Sequence, residues 1–261
     1  MSRLALDFGC GSLKLAGSLD TAPSTTGLLI VSGGNEIRSG AFSGQACLAA
    51  RIAKKGFPVF RFDRRGVGDS EGENRGFRSS AGDIEAALKA FRAMAPQVER
   101  VIGFGNCDAA SALMLSNGAG FDGLILSNPW TIEDDDGEED DTPPAAAIRA
   151  RYAEKLKNPR ELIRLAKGGV NLGKLVQGIA KSFKGEGSPS SLANEMRSGL
   201  EAFGGHVSIL LATADRTAQV FESNWHKDDP RISRCESGTH AYVEPKHREW
   251  LDKQILSALR A

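Results

Sequence analysis

Apolar positions along the chain fall into short runs of strand length, separated by segments of helical period. Near the start, Leu4, Leu6 and Phe8 alternate with Arg3, Ala5 and Asp7, and Leu13, Leu15 and Leu19 follow beyond Gly9-Cys10-Gly11. A period of two around a glycine turn predicts an edge hairpin over residues 3–19. Leu28–Val31 and Pro58–Phe62 are compact apolar runs. Between them Cys47, Leu48 and Ile52 recur at helical spacing, which predicts a helix over 42–55 that Gly56 stops, with Cys47 on its core face. Ile84, Leu88 and Phe91 predict a helix over 80–95, ended by Pro96. Apolar runs return after Val101, after Gly123 and over Val207–Ala212, and a short last strand is expected over 231–236. Residues 219–225 read as helix, and Leu251, Ile255 and Leu259 place a closing helix over 246–260 with Trp250 beside them.

Alternating strands and helices with short connections predict an α/β fold, a mostly parallel central sheet covered by helices on both faces. Ligands in such sheets sit beyond the carboxyl ends of the strands. The Gly33-Gly34 turn, the loop from Asp63, Cys107 and Trp130 would meet at that edge. The pattern breaks after Trp130, where an acidic run over Glu133–Asp141 is closed by Pro143-Pro144. Residues 145–204 then read as amphipathic helices. The expected division is therefore a core of 1–129 and 206–261, with an acidic loop and a helical cap inserted over 130–205. Between Arg149 and Lys184 basic residues far outnumber Glu154 and Glu161. Mutual neutralisation with the acidic loop is one reading; a basic lid facing an anionic acyl substrate is the other.

Composition narrows the function. The chain has 261 residues, 41% of them hydrophobic, enough for one large α/β domain with an insert. Lys+Arg and Asp+Glu each number 33, so nothing in the net charge draws the chain to nucleic acid. No apolar run approaches membrane-spanning length and the start lacks a signal pattern, so no membrane insertion and a cytoplasmic location are expected. Cys10, Cys47, Cys107 and Cys235 are scattered without a C-x-x-C pair, which suggests neither a zinc site nor a disulfide framework. A reducing compartment suits a working thiol.

Such a thiol is marked by the local pattern. The strand from Val101 runs through Gly105-Asn106-Cys107-Asp108-Ala109 into a helical stretch, the shape of a nucleophile elbow. The chain packs tightly on both sides of the tip, so Gly105 and Ala109 must be small. A thiol at a helix start feels the positive end of the dipole, which favours thiolate. Asp108 opposes this unless its carboxylate turns to the first-turn N–H groups. The plain alternative is an inert thiol in a crossover, and a short motif alone does not decide.

A nucleophile needs a base, and the base an acid to hold it. Cys107, Asp215 and His240 occur in the order nucleophile, acid, histidine, each just past a predicted strand. His206 precedes its strand, His226 lies in a polar loop and His247 falls inside the closing helix. Asp228, Asp229, Glu133 and Asp134 are alternatives for the acid. The expected oxyanion donors are the backbone N–H of Asp108 and one from Gly34 or Asn35. An ordinary turn is the plain reading of Ser32-Gly33-Gly34-Asn35. Asp63, Arg64 and Arg65 are read as a local ion-pair network; no Gly-Lys-Ser/Thr follows, so the loop is not a P-loop.

These residues together resemble the α/β-hydrolase superfamily over nearly the whole chain. The likeness is carried by Gly33-Gly34, the Asp63–Ser70 loop, the elbow at Gly105–Ala109, Asp215 and Gly238-Thr239-His240. More narrowly, the opening hairpin, the Ser32–Gly40 turn and the Cys elbow are similar to the first type of hydrolase associated with the exosortase A system of bacteria. That resemblance implies a setting in protein sorting and exopolysaccharide production. The superfamily usually has Ser at the tip and His-Gly in the oxyanion turn, where this chain has Cys107 and Ser32-Gly33. A Cys tip resembles dienelactone hydrolases, which lack a cap. The resulting expectation is hydrolysis of a small-molecule ester, thioester or lactone through an acyl-cysteine, without metal or organic cofactor. Acyl transfer by the same triad, and a non-catalytic binding or scaffold protein of the same fold, are the other readings.

Overall fold

The computed structural model describes residues 2–118, 120–132 and 191–261. Its strands are Arg3–Cys10 (β1), Leu13–Asp20 (β2), Thr26–Val31 (β3), Val59–Phe62 (β4), Arg100–Asn106 (β5), Gly123–Ser127 (β6), His206–Ala212 (β7) and Ile232–Cys235 (β8). Its described helices are Gly44–Lys54 (α1), Ala81–Met94 (α2), Asp108–Leu115 (α3), Ser191–Ala202 (α4), Arg216–Ser223 (α5) and Pro245–Arg260 (α6). The strands form one sheet in the order β1-β2-β4-β3-β5-β6-β7-β8. β1, β2 and β4 pair antiparallel, and from β4 through β8 every neighbour is parallel. This is the α/β-hydrolase arrangement.

Period two in the buried strands decides which face each side chain covers. Leu29 and Val31 pack with α2 and α3 through Ile84, Phe91 and Leu113. Leu28 and Ile30 pack on the other face with Leu48 and Ile52 of α1 and Leu251, Ile255 and Leu259 of α6. Phe91 stacks on Phe60 with ring centroids 5.6 Å apart. A Cβ at Gly27 would lie 2.5 Å from the Phe91 ring, so the glycine makes room for it.

The topology also fixes where a site can form. From β3 the chain steps outward to β4 and then returns to the other side of β3 as β5. Val31 lies opposite Gly105, and Asn106 opposite Ser127, so the β3, β5 and β6 ends share one edge. The Gly33-Gly34 turn and Cys107 therefore leave the sheet side by side at the reversal of strand order.

Several expected boundaries shift for local reasons. α1 begins at Gly44 because Phe42 (φ 49) and Ser43 (φ 59) are left-handed, and Cys47 lies exposed, not in the core. α5 begins at Arg216, three residues before the expected start, because Asp215 caps it. Of the expected insert, residues 133–190 lie outside the described residues. Its end, α4, packs on α3 and places Leu192, Met196 and Leu200 in the larger core cluster. Among the described residues no helix is long and apolar enough to cross a membrane.

Candidate active site

Cys107 sits between β5 and α3 at φ 62 and ψ −131, a conformation that non-glycine residues seldom adopt. The small neighbours explain how the turn closes. A Cβ on Gly105 would lie 2.6 Å from the Ala109 carbonyl carbon and 2.7 Å from the Ala110 nitrogen. Ala109 is fully buried, whereas Cys107 is half-buried and remains accessible. The Cys107 N–H is tied to the Ser127 carbonyl at 3.0 Å, which anchors the tip to β6.

Asp215 follows β7 and His240 follows β8. Their side chains meet, with His240 Nδ1 2.8 Å from Asp215 Oδ2. The other carboxylate oxygen, Asp215 Oδ1, accepts the Thr217 N–H at 3.3 Å as the N-cap of α5. One oxygen thus fixes the acid to its helix while the other holds the imidazole. The hydrogen bond to Asp215, reinforced by the neighbouring Cys107 side chain, pushes the His240 pKa up to about 10 against the opposing effect of burial. An imidazolium beside a thiol and a carboxylate is the form this setting favours.

Two amides that sequence reasoning did not single out tie the histidine loop to the elbow. Asn106 Nδ2 and Asn128 Nδ2 both donate to the His240 carbonyl, at 3.3 and 3.4 Å. Asn128 Nδ2 also donates to Asn106 Oδ1 at 2.9 Å, while Asn128 Oδ1 accepts the Ala212 N–H at 2.8 Å. Asn128 has φ 42, a conformation that Asn tolerates better than most residues. The available signal was a pair of Asn residues closing two apolar strands.

The alternatives lie elsewhere. Asp229 accepts from Trp225 Nε1 at 2.9 Å and from Arg231, whose hydrogen bonds pull its pKa down to about 2. Asp228 is exposed, and Glu133 and Asp134 lie outside the described residues. His206 opens β7 and is exposed, as is His226; His247 is buried in α6 with Glu244 3.8 Å away. Trp130 lies beside α3, its backbone bonded to Ser111 Oγ at 2.8 Å.

The expected oxyanion donors are not all open. The Gly34 N–H donates to the Asp108 carboxylate, with Oδ1 2.7 Å from the nitrogen. The other oxygen, Oδ2, lies 3.2 Å from Arg64 Nη2. Asp108 therefore turns to the Gly34 turn and Arg64, not to the first-turn N–H groups of α3. Its own N–H belongs to that first turn and has no acceptor within the helix. Asn35 is exposed and its side-chain oxygen accepts from Asn74 Nδ2 at 2.7 Å. The expected ion network among Asp63, Arg64 and Arg65 does not form, because each finds its partner from another segment: Asp63 accepts from the Arg38 backbone and guanidinium, Arg65 pairs with Asp83 at 2.6 Å, and Arg64 turns to Asp108.

Comparisons agree with this fold. A family model described as serine aminopeptidase, S33 matches residues 23–177. No curated protein matches. Among solved structures, the chain is similar to an α/β hydrolase, GrgF, from Penicillium sp. sh18, at 18% identity and a TM-score of 0.67, covering 100% of this chain and 98% of that one. It is similar to the esterase Pf2001 of Pyrococcus furiosus at 15% identity and a TM-score of 0.59, covering 99% and 90%. A lidless serine hydrolase from Xanthomonas campestris gives 14% identity and a TM-score of 0.59, covering 100% and 94%. At these identities the likeness shows the fold alone.

Proposed function

The chain belongs to the serine aminopeptidase, S33 family and is an α/β-hydrolase enzyme, and from that premise we propose that it cleaves an ester, thioester or lactone through a Cys107-His240-Asp215 triad. The observation that carries the reading is a thiol on a strained elbow beside an imidazole held by a carboxylate at 2.8 Å. The family's description names serine, and here the tip is Cys107. The chemistry changes accordingly. A histidine held protonated in part by the thiol beside it is the natural counter-ion of a thiolate, and acylation of that thiol removes this contribution before the histidine takes a proton from water.

His240 Nδ1–H donates to Asp215, which leaves Nε2 to exchange protons at the thiol. The thiolate attacks the acyl carbon, a C–S bond forms, and the carbonyl electron pair moves to oxygen. The Asp108 N–H and a turn N–H from Gly34 or Asn35 take that oxyanion; Gly34 can do so once the Asp108 carboxylate leaves it. Collapse breaks the bond to the leaving alcohol or thiol, which takes the His240 proton. Water then loses a proton to Nε2 and attacks the acyl carbon, and collapse breaks the C–S bond, releasing the carboxylic acid and restoring the thiolate beside the imidazolium. Losing one oxyanion donor costs roughly 100- to 1000-fold in rate.

The substrate in this reading is a small acyl compound, and the enzyme works in the cytoplasm without metal or organic cofactor. The likeness to exosortase-associated hydrolases supplies its bacterial setting. The test is to trap the intermediate. Brief exposure to 4-nitrophenyl acetate and to an acetyl thioester, followed by acid quench and peptide mapping, is expected to place the acetyl group on Cys107. In His240→Ala the adduct is expected to form much more slowly. Turnover without an adduct at Cys107 would overturn the reading.

A further inference from the structure

Asp108 sits where the chemistry proposed above needs an empty space. Its carboxylate takes the Gly34 N–H at 2.7 Å, and a Cβ added to Gly33 would lie 2.6 Å from the same oxygen. The glycine turn is therefore wrapped around a carboxylate. We propose that the Gly34 turn and Arg64 form a carboxylate- and oxyanion-binding position that Asp108 fills at rest, and that Asp108 must swing out for the acyl substrate to react. This inference rests on Cys107 being the nucleophile.

Three features support a removable occupant. First, the turn does not depend on Asp108 for its shape. Arg64 Nη2 also donates to the Gly34 carbonyl, Arg64 Nη1 donates to Ser80 Oγ at 3.1 Å, and the Glu36 N–H closes the turn on the Gly33 carbonyl at 2.9 Å. Second, the charges match. Arg64 is buried at 3% exposure, and a buried cation needs an anion beside it. An oxyanion at the Gly34 N–H replaces the departing carboxylate without leaving Arg64 uncompensated. A neutral carbonyl is a weaker acceptor than a carboxylate, so displacement favours the tetrahedral oxyanion over the bound substrate. Third, hydrolysis ends in a carboxylate, and returning Asp108 to Gly34 competes with that product for the same two donors. Asp108 thus acts as a specificity-setting internal competitor, and Arg64 holds the positive charge that both the competitor and the oxyanion use.

The test compares Asp108→Ala and Asp108→Asn with the parent. Butyrate is titrated calorimetrically as the carboxylate probe, and acylation by 4-nitrophenyl acetate is followed separately. Asp108→Ala is expected to bind butyrate at least about tenfold more tightly and to acylate faster by a similar factor, with Asp108→Asn in between, because a neutral amide oxygen competes less well than a carboxylate. Equal or weaker butyrate binding in the variants would overturn the proposal and make Asp108 a fixed brace. If circular dichroism shows that the alanine variant does not fold, the asparagine variant decides by the same criteria. The calorimetric arm does not depend on turnover. Absence of parent hydrolysis would sink the triad reading, whereas hydrolysis with unchanged butyrate binding would sink this one alone.

Discussion

At residue scale the site is a set of tight steric conditions around one strained backbone. Holding Cys107 at φ 62 costs on the order of 1–3 kcal/mol, which the packing of α3 against β5 and β6 must offset. Gly105 makes that packing possible. Gly105→Ala would drive a methyl group to within 2.6 Å of the Ala109 backbone, so a loss of about 3 kcal/mol is expected by urea denaturation. Cys107→Ser keeps the shape but replaces the thiol, which itself helps to raise the His240 pKa, with an alcohol that is much harder to deprotonate. Its esterase rate is expected to fall roughly 100-fold or more, since the thiolate–imidazolium pair is lost; steady-state kinetics on 4-nitrophenyl acetate checks this. The elbow was legible in the sequence because its conditions are local, a small residue two positions either side of the tip. The direction of the Asp108 side chain was not, because Arg64 lies 44 residues away in the chain and the two meet through the fold.

At the scale of elements, helix α5 carries the acid as its own N-cap. Sequence periodicity started this helix at 219 because the apolar signal begins there, but a capping carboxylate extends it back to Arg216. Asp215 therefore has two separable roles. Asp215→Asn keeps a good capping side chain while Asp215→Ala does not, so the alanine variant is expected to be about 1 kcal/mol less stable than the asparagine variant by urea denaturation. Both are expected to lose most esterase activity, because neither holds the imidazolium with a charge. α1 shows the opposite kind of shift. Helical spacing pointed to a start at 42, but Phe42 and Ser43 are left-handed, a backbone choice that apolar periodicity does not register.

At the scale of the whole molecule, the sheet brings together Gly34, Arg64, Cys107, Asp215 and His240 from the ends of five strands. Alternating apolar runs made the parallel sheet and its covering helices legible, along with the placement of Cys107, Asp215 and His240 just past strand ends. The antiparallel pairing of β2 with β4 was not, because it is a contact between distant segments with no local signature. Asn106 and Asn128 escaped notice for the same reason. The His240–Asp215 pair also links stability to pH. A histidine pKa raised to about 10 stabilises the fold fully below the unfolded value of about 6.5, and that contribution is lost as pH rises through about 10. The stability difference between the parent and Asp215→Asn is therefore expected to be larger at about pH 6 than above about pH 10, read from urea midpoints at each pH.

The central claim is an activated Cys107–His240 pair, and competition between thiols tests it most directly. Cys47 is exposed and Cys107 is half-buried, so accessibility alone makes Cys47 the faster of the two to react with iodoacetamide. At about pH 6, where ordinary thiols are almost entirely protonated, peptide mapping is expected to show Cys107 alkylated first in the parent and Cys47 first in His240→Ala. Alkylation of Cys47 ahead of Cys107 in the parent, with no change on removing His240, would contradict the account.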